Sequence, residues 1–157
     1  MQKITPCLWF DGHVEEAAGF YVSLFPDARI VDTQYYMDDV HQPKGSILVM
    51  ELELAGQSFQ ILNGGPHFKI TPAISFTITC KDQAEVDHYW NSLTADGGEE
   101  SQCGWLKDKF GLSWQIVPAM LNEKLAHGDP KRAGQMFQAV MGMRKLIIAE
   151  LEEAYNR

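Results

Sequence analysis

The chain opens on a short apolar run, ITPCLWF, that ends at Asp11-Gly12. Beyond it Val14, Ala17, Ala18, Tyr21, Leu24 and Phe25 recur at steps of three and four. That change of period predicts a strand followed by a helix. Pro26 stops the helix, because its ring blocks the next helical turn. Three β-rich runs follow, ARIVDTQYY, SILVMELEL and QSFQIL, separated by the polar segment 37–45 and a turn at Ala55-Gly56.

The same order of elements then returns. AISFTITC reads as a strand, Asp82 as an N-cap, and Val86, Tyr89, Trp90 and Leu93 as the apolar stripe of a helix that stops at Asp96-Gly97-Gly98. A β-prone stretch to about Lys109 and a last strand, LSWQIVP, complete it. Each helix needs an apolar sheet face to cover, so two βαβββ modules predict an α+β fold of curved mixed sheets, helices outside and the opposite face free to form a cleft. From about Pro130, residues Met136, Val140, Met143, Ile147, Leu151 and Ala154 keep helical spacing, which predicts one long amphipathic C-terminal helix. The expected layout is a single domain: a first module over 1–65, a second over 66–120, and a helical extension over 121–157.

Alternation within the strands assigns their faces. Ile74, Phe76 and Ile78 oppose Ser75, Thr77 and Thr79; Phe59 and Ile61 oppose Ser58, Gln60 and Leu62; Trp114 and Ile116 oppose Ser113, Gln115 and Val117. A second face of this kind either meets solvent or lines a pocket. Serine, threonine and glutamine without lysine or glutamate favour the pocket. Glu51 and Glu53 instead mark a solvated strand edge.

Composition narrows the partners. A net charge of −8 with no dense basic patch repels phosphate backbones and anionic membranes, so neither nucleic acid nor membrane is expected as a partner. The three cysteines, Cys7, Cys80 and Cys103, form no CxxC pair and no zinc-type spacing. Without a signal-peptide pattern or a run of eighteen apolar residues, the cytoplasm is the expected location.

The strings ITPCLWFDG, LNGGPHF, TPAISF and CGWLKDKFGLSWQIVP resemble the PhnB-like branch of the vicinal-oxygen-chelate (glyoxalase/bleomycin resistance/dioxygenase) superfamily, a branch often labelled 3-demethylubiquinone-9 3-methyltransferase. The resemblance implies paired glyoxalase-like βαβββ modules, a homodimer, and a family whose substrates are largely unassigned. In metal-dependent relatives His or Glu ligands lie on the first and last strand of each half. The matching places here hold Pro6, Gln60, Ala73 and Gln115, and none supplies an imidazole or a carboxylate. The resemblance therefore implies a cleft without a metal or other cofactor. The methyltransferase label has no support in the sequence: adenosyl donors are usually held by a Gly-rich strand-to-helix turn, whereas Gly64-Gly65 leads through Pro66-His67 toward another strand.

Candidate binding residues follow from these placements. Asn63 and His67 flank a glycine pair that suits close ligand approach, although a plain linker turn explains the glycines equally well. Cys103 and Trp105 are expected on the strand beside Gln115; Cys103 reads as a reactive thiol or a half-buried filler, Trp105 as core or pocket wall. Gln60 lies on the polar strand face. Parity with Pro6 and Leu8 puts Phe10 toward the cleft and Trp9 under the helix. His41, His88 and His127 receive no role, and His13 is a helix cap or a cleft-rim group. Three functions remain open: metal-free binding of a small molecule, with or without cofactorless acid–base chemistry; a metal-dependent glyoxalase or dioxygenase drawing ligands from His67, His13 or Glu51; and sequestration of a ligand without turnover.

Overall fold

The computed structural model describes residues 2–157. Packing divides the chain into two compact units, one ending at Ile70 and the other running from Thr71 to Arg157.

The first unit contains β1 (Cys7–Phe10), α1 (Val14–Leu24), β2 (Arg29–Tyr35), β3 (Ile47–Leu54) and β4 (Gln57–Asn63). Its sheet has the order β1-β4-β3-β2, with β1 parallel to β4 and the other neighbours antiparallel. Val14, Ala17, Ala18, Tyr21 and Leu24 of α1 are buried, and so are Met50, Leu52, Leu54 and Ile61 of the sheet. Each valine, leucine, isoleucine or methionine among them contributes about 1.5–3 kcal/mol when fully buried. The exposed Arg29–Glu53 pair on the other face, at 3.5 Å, contributes about 0–1 kcal/mol. Apolar burial therefore decides which face the helix covers.

That face carries Phe10, which corrects the parity assignment. Leu8 is in register with Ile61, which is fully buried, and Phe10 with Asn63, so Leu8 and Phe10 share the helix-covered side. Phe10 is 5% exposed, whereas Trp9 lies opposite Leu62 on the free side. The chemistry of the rings accounts for the choice: phenylalanine brings no polar atom inside, while the indole N–H of Trp9 finds a carbonyl at the free face.

The β3–β4 hairpin turns on Ala55 (φ 49°) and Gly56 (φ 77°), both left-handed as a two-residue type I′ turn demands. Alanine there carries a cost of about 1–2 kcal/mol. Ala55→Asn is expected to stabilise the protein by about 1 kcal/mol, since asparagine tolerates this conformation. A urea midpoint that stays the same or falls would show that the turn carries no strain.

The second unit contains β5 (Ser75–Cys80), α2 (Gln83–Thr94), β6 (Glu99–Glu100), β7 (Trp105–Lys107) and β8 (Ser113–Pro118), with sheet order β5-β8-β7-β6, the same topology as the first. Asp82 caps α2 by accepting the Glu85 N–H at 2.9 Å, and Val86, Tyr89, Trp90 and Leu93 are buried. The β7–β8 turn is built around Asp108, which is 2% exposed. One carboxylate oxygen accepts the N–H groups of Phe110 and Leu112 at 2.9 and 3.1 Å, and the other accepts the Trp114 indole N–H at 2.9 Å.

The C-terminal segment is helical but is not one long helix. It forms α3 (Ala119–His127), α4 (Pro130–Met141) and α5 (Ile148–Asn156). Gly142 caps α4, and the chain beyond it is drawn out of helical geometry. The carbonyls of Met143 and Arg144 accept the N–H groups of Cys103 and Gly104, each at 2.8 Å. The Gln83 side chain clasps the same stretch, donating to Leu146 O at 3.1 Å and accepting from Ile148 N–H at 2.8 Å. Apolar spacing runs through this break, which is why periodicity alone reads it as continuous. Val117, Leu121, Met136, Val140, Leu146 and Leu151 form the core that joins the helices to β8.

Candidate functional site

On the free face of the first sheet lies a cavity of about 470 Å³. Its floor is Trp9 of β1, Leu62 of β4 and Leu48 of β3. Leu48 reaches it because the β2–β3 register slips between Gln34 and Tyr35. The bulge leaves Leu48 without a partner in the ladder, while its neighbours Ile47 and Met50 line a different cavity on the helix side.

Trp9 is fixed in place. Its indole N–H donates to Gly65 O at 2.8 Å, and Phe68 meets it edge to face with ring centroids 4.9 Å apart. Gly64 lies directly on the indole, so that a Cβ there would come within 2.3 Å of the ring. The N–H groups of Gly64 and Gly65 both donate to Phe10 O, at 2.9 and 3.3 Å. Gly64 is thus required by close approach, and Gly65 by its positive φ of 91°. The motif LNGGPHF is a seat for Trp9.

The opposite wall is the β2–β3 loop. Tyr36 and Ser46 close its base with backbone hydrogen bonds, and the Tyr36 hydroxyl donates to Asn63 O. Asp38 and Asp39 stiffen the interior by accepting the N–H groups of Val40 and Lys44 at 3.0 and 2.8 Å. The loop presents His41 and Gln42 to the cavity, and the segment after β4 presents Pro66 and His67. Among the described residues none hydrogen-bonds to or forms an ion pair with the side chains of His41, Gln42 or His67. His41 had no signal in the sequence beyond its residue type, because only the closed hairpin brings it to the same cavity as His67.

Asn63 does not join His67. Its amide accepts the Gly12 N–H at 3.2 Å and donates to Ile47 O at 3.0 Å, so it ties the turn between β1 and α1 to β3 and β4. It borders the helix-side cavity of about 560 Å³ at the start of α1, whose mouth carries Glu15 and Glu16. Gln60 is half-buried on the free face, between Cys7 and Glu51. Burial raises the Cys7 thiol above its ordinary pKa, and burial followed by Glu85 and Asp82 pushes Cys80 up to about 12. Neither supplies a thiolate near neutral pH.

In the second unit Trp105 lies opposite Gln115, whose amide donates to the Ser75 hydroxyl at 2.9 Å, so these three share the free face of that sheet. Cys103 is in the turn before β7, not on the strand, and its sulfur sits 3.8 Å from that of Met141, beside the C-terminal core.

The places that hold metal ligands in metal-dependent relatives do not fit a divalent transition ion. Pro6 offers only a carbonyl, which already accepts the Gln60 N–H at 2.8 Å, and the Gln115 amide is bonded to Ser75. Amides and a proline are poor donors for such ions. Among the described residues no three His, Cys, Asp or Glu come together as a metal site.

A family model described as 3-demethylubiquinone-9 3-methyltransferase matches residues 2–117. A PhnB protein from Bacillus cereus is 34% identical, with a TM-score of 0.68 over 75% of this chain and 100% of that one. Protein PA1353 from Pseudomonas aeruginosa is 21% identical, with a TM-score of 0.59 over 75% of this chain and 98% of that one. The fosfomycin resistance protein FosX from Mesorhizobium loti shares the fold at 17% identity, with a TM-score of 0.56 over 81% of this chain and 100% of that one. No curated protein matches the chain in sequence.

Proposed function

The chain belongs to the PhnB-like family described as 3-demethylubiquinone-9 3-methyltransferase, within the vicinal-oxygen-chelate superfamily and with its glyoxalase-like fold, and from that membership we propose a cytoplasmic, homodimeric protein that binds a small molecule without a metal ion or organic cofactor. The observation that carries this reading is the preformed cavity floored by Trp9, held in place by Gly64, Gly65 and Phe68. Its volume of about 470 Å³ suits a drug-sized ligand, for which pockets run from about 300 to 1,000 Å³. An indole that is already immobilised loses little freedom on binding.

The donor set gives no reason to route chemistry through a metal. Adenosyl-donor binding lacks its usual seat as well: the strand-to-helix joints Asp11-Gly12-His13 and Lys81-Asp82 are not Gly-rich. The imidazoles of His41 and His67 are the groups at this cavity suited to move a proton. Among the described residues no helix is long and apolar enough to cross a membrane. A second copy of the chain is supported by the exposed apolar residues Ile30, Val31 and Tyr35 along the edge strand β2.

A thermal-shift screen of metabolites in buffer containing a chelator tests the reading, because a ligand that binds only the folded protein raises the melting temperature by mass action. Hits are expected to act equally with and without chelator, and to lose their effect in Leu62→Trp, which fills the cavity floor. Binding that needs an added divalent ion, or that survives in Leu62→Trp, would overturn it. Recovery of a hit unchanged after incubation separates sequestration from turnover.

A further inference from the structure

We infer that the ligand of this cavity is a planar aromatic molecule bearing an acidic oxygen group, such as an aromatic carboxylate or an enol acid, held with its ring near Trp9 and its oxygens at His41 and His67; this rests on the binding reading above. The inference comes from which polar groups are spent and which are free. Trp9 and Tyr36 line the cavity, but their N–H and O–H are committed to Gly65 O and Asn63 O. The N–H groups of Gly64 and Gly65 are committed to Phe10 O. With those donors spent, these walls offer a ligand chiefly aromatic and aliphatic surface, and rings packing against rings favour a flat partner.

Among the described residues that line the cavity, the uncommitted side-chain N–H groups are those of His41, Gln42 and His67. Imidazole and amide N–H groups can donate to an acceptor, and a lining that holds no carboxylate accepts an anionic one more readily than a cationic group. A cationic ligand finds no counter-charge, since no carboxylate lines the cavity. The nearest acids in the loop, Asp38 and Asp39, each have an oxygen engaged by loop N–H groups. The chain's net charge of −8 opposes an anion at long range. At about 0.15 M salt that field is screened beyond about 8 Å, so the lining decides.

Three bicyclic probes separate these claims by isothermal titration: 1-naphthoate, its fully saturated carboxylate counterpart, and 1-naphthylmethylamine. Naphthoate is expected to bind at least tenfold more tightly than either of the others. The paired substitution His41→Ala with His67→Ala, at groups that hold no part of the fold together, should weaken naphthoate at least tenfold with an unchanged circular dichroism spectrum. Equal affinity for the saturated acid removes the aromatic claim, and equal or tighter binding of the amine removes the acidic one. If metabolite hits bind while naphthoate does not, the ligand class is wrong and the cavity reading stands. If naphthoate binds Leu62→Trp as well as the parent protein, the cavity reading itself fails.

Discussion

Asp108→Ala is expected to lower the unfolding free energy by about 3–5 kcal/mol, the range for removing one partner from a buried charged network. The loss is large because one carboxylate satisfies three N–H groups at once, those of Phe110, Leu112 and the Trp114 indole, at a site that is 2% exposed. Alanine leaves all three donors without their acceptor, and each orphaned buried group costs about 1–3 kcal/mol before relaxation. Asp108→Asn separates shape from chemistry. Its amide oxygen can still accept from the turn, but its NH₂ then faces the indole N–H, donor against donor, so a smaller loss of about 2 kcal/mol is expected. Urea unfolding measures both, and the indole N–H resonance of Trp114 reports the broken bond directly. A loss below about 1 kcal/mol for alanine would mean that the turn is held by its backbone bonds alone.

Gly64→Ala is expected to remove ligand binding while leaving most of the fold intact. A methyl group at that position meets the Trp9 ring at 2.3 Å, well inside van der Waals contact, and the indole has to move. Its bond to Gly65 O and its edge contact with Phe68 are lost together. Forcing a methyl into a packed site costs about 1–3 kcal/mol. The rearranged wall should weaken any cavity ligand at least tenfold, about 1.4 kcal/mol. Gly64→Ala read with Trp9→Phe distinguishes crowding from loss of the indole: Trp9→Phe relieves the crowding but removes the hydrogen bond. Full binding by Gly64→Ala would show that Trp9 is not the wall the ligand touches.

The repeat of two βαβββ units and the cap at Asp82 were legible in the sequence, because period changes and capping chemistry are local signals. The faces were only partly so. Trp9 and Phe10 are both large and aromatic, and alternation says that they part company without saying which goes inside; the tie is broken by a carbonyl at Gly65, more than fifty positions away. Strict alternation with Met50 would put Leu48 on the helix side, and a slip in register turns it outward. His41 could not be found at all, since a hairpin has to close before that imidazole and His67 border one space. Asp108 gave no signal in a run of polar and aromatic residues, although it organises the turn that contains it. The break between α4 and α5 was hidden for the opposite reason: the apolar rhythm persists, and what interrupts the helix is a pair of carbonyls taken by a distant turn.

The tail that follows β8 changes what this member of the family can offer to other molecules. The Bacillus cereus relative is matched along its entire length by three quarters of this chain, and the family pattern stops at Val117, the residue on which the extra helices are seated. Here that end of the sheet is covered by the chain's own helices, whose connecting segment 143–148 is clasped by Gln83 and by the turn at Cys103-Gly104. In this chain Val117, where the family match ends, is buried by residues of its own helices, Leu121, Met136, Val140 and Leu151 among them.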